Sequence, residues 1–106
     1  GGVGLRPVVG VACGADHACA LVGDGTARCW GAGDVGQLGG GAFTPAASSP
    51  VTVVDVTDAV ELVTAARHVC ARGRDGAVRC WGNNDFGQLG DRTQVARAAP
   101  VRVVGL

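Results

Sequence analysis

The stretch Cys29-Trp30-Gly31-Ala32-Gly33-Asp34-Val35-Gly36-Gln37-Leu38-Gly39 occurs again as Cys80-Trp81-Gly82-Asn83-Asn84-Asp85-Phe86-Gly87-Gln88-Leu89-Gly90. The copies share Cys-Trp-Gly, the aspartate and the closing Gly-Gln-Leu-Gly. They stand 51 residues apart, and Cys19 and Cys70 keep the same spacing. A period of that size in a 106-residue chain marks two tandem units of a modular repeat fold.

Upstream of each copy lies a hairpin. The residues His17 to Val22 read as a strand, Gly23-Asp24-Gly25 as its turn and Thr26 to Trp30 as the return. Three residues ending in glycine fit a type I turn followed by a left-handed glycine. The second unit keeps the pattern as Arg74-Asp75-Gly76. Counting from a three-residue loop pairs Leu21 with Ala27, Ala20 with Arg28 and Cys19 with Cys29. The same count sets Cys70 opposite Cys80. Directly opposed strand residues bring their Cα atoms to about 4.5–5.5 Å, within what a disulfide accepts. Both pairs are therefore expected as disulfides, Cys19–Cys29 and Cys70–Cys80, in preference to free thiols packed as small hydrophobes. Persistent disulfides imply an oxidising compartment, hence an extracellular or cell-surface location.

Farther out, the residues Pro7 to Cys13 are apolar on both faces and predict a short buried strand, with Ala59 to Ala65 as its counterpart. Pro50 to Val54 and Pro100 to Val104 predict the last strand of each unit. The expected fold is all-β: two four-stranded antiparallel β-propeller blades, residues 1–55 and 56–106, in one continuous structure.

Composition narrows the partners. Nine arginines and no lysine balance nine acidic residues, so the net charge is zero. Nothing in that balance points to nucleic acid or to an anionic membrane. No apolar run approaches the ~20 residues that span a bilayer. The bias toward Ala, Gly, Val and Arg suggests a high-GC, bacterial source, and Gly1 in place of Met reads as a processed end or a fragment edge.

The order His-x-Cys-Ala-Leu, Asp-Gly, Cys-Trp-Gly-x-x-x-x-Gly-Gln-Leu-Gly, Pro-Val-x-Val-Val resembles the regulator of chromosome condensation repeat family, over nearly the whole chain. The resemblance implies about one blade per repeat of a seven-bladed propeller. The family's eukaryotic founder exchanges guanine nucleotide on a small GTPase and sits on chromatin, through loops and a basic tail that nothing here matches. Other members are secreted bacterial proteins that inhibit β-lactamases. The cysteine-bearing, lysine-free repeats resemble the bacterial extracellular type. A shared fold does not carry a function with it.

The repeated residues make sense as fold determinants. Gly31, Gly36 and Gly39, with Gly82, Gly87 and Gly90, permit positive φ or close backbone approach. Gln37 and Gln88 can bond loop backbone, Leu38 and Leu89 plug between blades, and Trp30 and Trp81 supply the largest packing surfaces.

Chemical readings fare less well. Cys13, His17, Cys19 and Cys29 are zinc-ligand types, yet the second unit offers only His68, Cys70 and Cys80, and no Cys-x-x-Cys occurs. Gly31, Gly33 and Gly36 spell a dinucleotide fingerprint, with Asp55 at a suitable distance, but Gln-Leu-Gly-Gly-Gly cannot open the helix it needs. A cation at Asp34, or at Asp85 with Asn83 and Asn84, would need about six to eight oxygens; loop solvation is the better reading. His17 and His68 are expected to make structural loop hydrogen bonds. Cys13, where the other unit has Thr64, is expected as a buried free thiol, with an intermolecular link as the alternative. No catalytic residue, cofactor or metal is expected.

Two blades cannot close a ring, and open ends leave apolar faces and strand edges exposed. The expected function is a non-enzymatic structural or protein-interaction module. It would be part of a longer propeller, or a homo-oligomer assembled as a ring or filament. The alternative is a secreted binding or inhibitor domain acting on a foreign protein such as a hydrolase. An enzyme or exchange factor comes third.

Overall fold

The computed structural model describes residues 8–43, 46–65, 67–84 and 96–103. Its strands are β1 (Val8–Cys13), β2 (His17–Val22), β3 (Ala27–Ala32), β4 (Ala46–Thr52), β5 (Ala59–Ala65), β6 (His68–Gly73), β7 (Val78–Gly82) and β8 (Arg97–Arg102). They form two four-stranded sheets, in the orders β1-β2-β3-β4 and β5-β6-β7-β8, with every neighbouring pair antiparallel. The chain is all-β and builds two propeller-type blades.

Turn chemistry sets the hairpin register. Gly25 and Gly76 adopt φ of +89° and +86°, the left-handed region that glycine enters without a Cβ penalty. Asp24 accepts the Thr26 N–H at 3.1 Å and Asp75 accepts the Ala77 N–H at 3.0 Å, the local bond that favours Asp in turns. Cys19 then faces Cys29, and Cys70 faces Cys80.

Two strand expectations need correction. The fourth strand runs Ala46–Thr52 rather than Pro50 to Val54. Its register against β3 shifts between Cys29 and Gly31, and Pro50, which has no N–H to give a ladder, lies within the shifted stretch. Strand β8 repeats this shift around Pro100; Val104 lies outside the described residues. The first strand is not buried. Val8, Val9 and Val11 are exposed because β1 is an edge strand, paired on β2 alone among the described residues.

The core lies between the sheets, not inside either one. Cys19, Leu21, Ala27, Cys29, Leu38 and Val53 of the first blade meet Ala59, Val69, Ala71 and Trp81 of the second. Side chains alternate along a strand, so the burial of Val69 and Ala71 turns Cys70 to the opposite face. Equivalent positions therefore have different surroundings. Ala59 is 6% exposed, while Val8, one repeat earlier, is 57% exposed.

A Cβ at Gly36 (φ +85°) would collide with the Arg97 carbonyl of β8, whereas one at Gly76 (φ +86°) meets nothing within 4 Å. Gly76→Ala should cost about 1 kcal/mol, the usual penalty of a left-handed alanine. Gly36→Ala should cost about 3 kcal/mol or more, because the second blade must retreat. Urea unfolding of the two variants measures the contrast.

Candidate functional site: the seam between the blades

Trp81, on β7, is fully buried under the loop that follows β3. Its Nε1–H donates to the Gln37 carbonyl at 3.0 Å. A Cβ on Gly39 (φ +68°) would stand 2.8 Å from that indole nitrogen, so only glycine lets the loop lie this close. The loop braces itself as well. Gln37 Oε1 accepts the Val35 N–H at 2.9 Å, and Gln37 Nε2 donates to Asp34 Oδ1 at 3.4 Å. Gly41 N–H crosses to the Ala98 carbonyl of β8 at 2.9 Å. Leu38 is buried beside Trp81 in the shared core. The Gly-Gln-Leu-Gly of one repeat thus clasps the tryptophan of the next.

Trp30 holds the equivalent place on β3 and is only half-buried. Gly87, Gln88, Leu89 and Gly90 lie outside the described residues. Gly31 and Gly82 adopt φ of +105° and +107°. A Cβ there would press on the backbone of Asp16 and His17, or of Arg67 and His68.

The sulfurs of Cys19 and Cys29 lie 2.09 Å apart, and those of Cys70 and Cys80 lie 2.12 Å apart. Cys19–Cys29 is fully buried in the seam; Cys70–Cys80 sits on the far side of the second blade, with Cys70 partly exposed. Cys13 is a free thiol and is exposed, contrary to expectation, because it ends the uncovered edge strand.

Charge crosses the seam at its rim. The Arg67 guanidinium donates to both carboxylate oxygens of Asp34, at 3.3 and 3.1 Å, and stands 3.8 Å from Asp16. Asp16 and Arg67 occupy the same repeat position with opposite charge, a signal the sequence reading passed over. These partly exposed pairs contribute about 0–1 kcal/mol each. Thr64 Oγ1 donates to the Cys13 carbonyl at 2.7 Å and ties β5 to β1.

His17 departs from expectation. Its ring is buried and neither nitrogen has a hydrogen-bond partner. The nearest charge, Asp16 Oδ1, is 3.7 Å from Nδ1, beyond hydrogen-bond length. Burial lowers the pKa of His17, and Asp16 and the His68 backbone offset part of that. Burial also lowers the pKa of His68, with the charge of His17 as the second cause.

Among the described residues no three His, Cys, Asp or Glu side chains gather as a metal site. The Gly31-to-Gly36 stretch enters no helix; it leads into the clasp over Trp81. Asp34 is held by Arg67 and Gln37 rather than presented as a free cation ligand. The arrangement joins the two blades.

The regulator of chromosome condensation (RCC1) repeat matches residues 8–37 and 66–88. The chain belongs to the RCC1 repeat family. Among similar proteins, the probable E3 ubiquitin-protein ligase HERC6 of Homo sapiens is 34% identical over 91% of this chain and 10% of its own length. The X-linked retinitis pigmentosa GTPase regulator homolog of Caenorhabditis elegans is 37% identical over 82% of this chain and 6% of its own. Human WBSCR16 superposes with a TM-score of 0.78 at 30% identity, covering 92% of this chain and 25% of that one. Prp20p of Saccharomyces cerevisiae superposes at 0.83 with 18% identity, covering 92% of this chain and 26% of that one, a likeness of fold alone. The chain thus spans about a tenth or less of the length of those two sequence relatives and about a quarter of the structural ones.

Trp81→Phe keeps most of the apolar surface but leaves the Gln37 carbonyl buried without its donor. It should destabilise by about 1–3 kcal/mol. Trp30→Phe should cost less than half as much, since Trp30 is only half-buried and no described loop clasps it. Thermal or urea unfolding of the pair decides.

Proposed function

We propose that the chain is a non-enzymatic protein-interaction module whose two RCC1-type blades, residues 1–55 and 56–106, form part of a larger propeller. Further repeats of one polypeptide, or other copies of this chain in a ring or filament, complete it. One observation carries this reading: the seam fully covers Trp81 and nearly covers Ala59, while the same places one repeat earlier, Trp30 and Val8, are only half-buried and exposed. An apolar face of that kind is stable when a neighbour covers it. Protein recognition is supported by relatives of this fold. One structure has Kap60 bound to yeast RCC1 (Prp20), and another concerns the binding of Prp20p to Gsp1p and histones.

Light scattering at micromolar concentration tests the assembly. The 106-residue chain should associate, and Trp30→Asp should shift it toward monomer. A single sharp monomer peak for the unaltered chain would refute the reading.

A second reading rests on the two disulfides, which suit an oxidising, extracellular or cell-surface setting. There the propeller would act as a secreted binding or inhibitor domain on a foreign protein such as a hydrolase. Titration of the chain against purified secreted hydrolases should then show saturable inhibition. Self-association with no effect on any of them counts against it.

A further inference from the structure

We propose that the seam between the blades is an acid-sensitive joint, held closed by neutral His17 and His68 and loosened when they are protonated. The two histidines hold equivalent repeat positions, each the first residue of its blade's second strand. His17 is buried with both ring nitrogens unpartnered. Its backbone is pinned by pairing with Gly31 and by its carbonyl accepting the Gly14 N–H at 2.8 Å. The close approach of Gly31 fills the space beside it. His68 of the second blade lies close enough for its backbone to act on the His17 ring, so a parting of the blades uncovers that ring.

Asp16, in the turn before β2, lies 3.7 Å from His17 Nδ1, and it belongs to a charge network that continues through Arg67, in the turn before β6, to Asp34, in the loop after β3. At neutral pH one guanidinium meets two carboxylates across the seam, and it already engages both. Adding a proton to each histidine sets three cations against the same two carboxylates. One of the new charges is buried, and the Asp16 carboxylate 3.7 Å away compensates it only in part, which is the costly case. Burial lowers both histidine pKa values, so the unfolded or parted state takes up protons more readily than the closed one. Seam stability is therefore full above the ordinary histidine value of about 6.5 and falls as the pH drops below it.

The seam contains its own reporter. Cys19–Cys29 is fully buried there, and Cys70–Cys80 on the far side serves as an internal control. The experiment follows reduction of each disulfide in the full chain by a phosphine reductant, with alkylation and peptide mass spectrometry, from about pH 8 to pH 5. The ratio of the Cys19–Cys29 rate to the Cys70–Cys80 rate should rise several-fold below about pH 6.5. Far-UV circular dichroism should stay β-like, and His17→Gln should flatten the response. NMR titration of the unaltered chain gives a second measurement that needs no variant. Its two histidines are separately readable, and His17 should titrate below about 6.5, at the pH where the rate ratio changes. A flat ratio, an equal rise in His17→Gln, loss of β signal along with the rise, or His17 titrating at or above its ordinary value would each overturn the proposal. None of these outcomes bears on assembly through Trp30.

Discussion

The buried hydrogen bond from the Trp81 indole to the Gln37 carbonyl is the constraint on which the arrangement of the two blades depends. A tryptophan brings the largest apolar surface of any side chain, and its single N–H needs a partner once water is excluded. The partner here is a backbone atom of the neighbouring repeat, delivered by a loop whose glycines allow contact at van der Waals distance. Packing and polar satisfaction are thus met by one contact across the seam. Neither blade could meet them alone.

This explains why two units that share one motif differ in environment. Each repeat has a face that clasps and a face to be clasped. In two tandem repeats one such contact forms internally, and Trp30 has no such loop over it among the described residues. The same asymmetry separates the disulfides. Cys19–Cys29 lies on the clasping face of the first blade and is buried; Cys70–Cys80 lies on the clasping face of the second and is not fully covered. The exposed valines of β1 lie on an edge strand that pairs with β2 alone among the described residues. Stability in such an array is a sum of within-repeat and nearest-neighbour contributions, and here the neighbour contribution is supplied once.

Local features were legible without coordinates. The Asp-Gly turns fix hairpin register over a few residues, so the facing of Cys19 with Cys29 and of Cys70 with Cys80 followed by counting. The eight strands followed from period and punctuation. Features that depend on neighbours were not legible. Pro7 to Cys13 looked buried because apolar residues occupy both faces, yet burial depends on what lies alongside. Cys13 was misread for the same reason. His17 was expected to bond a loop and instead lies in the seam without a partner. Arg67 drew no notice, although its equivalence to Asp16 is written in the repeat.

The residues by themselves determined the elements and their local pairing: strand order, turn type, cysteine register and the one-blade period. Backbone hydrogen bonds and φ preferences act over a few residues, and the sequence states those residues directly. Only the tertiary structure decided which tryptophan is covered, which disulfide is sealed and which histidine is buried. Those outcomes depend on the packing of one repeat against another, and identical motifs cannot encode their own different neighbours.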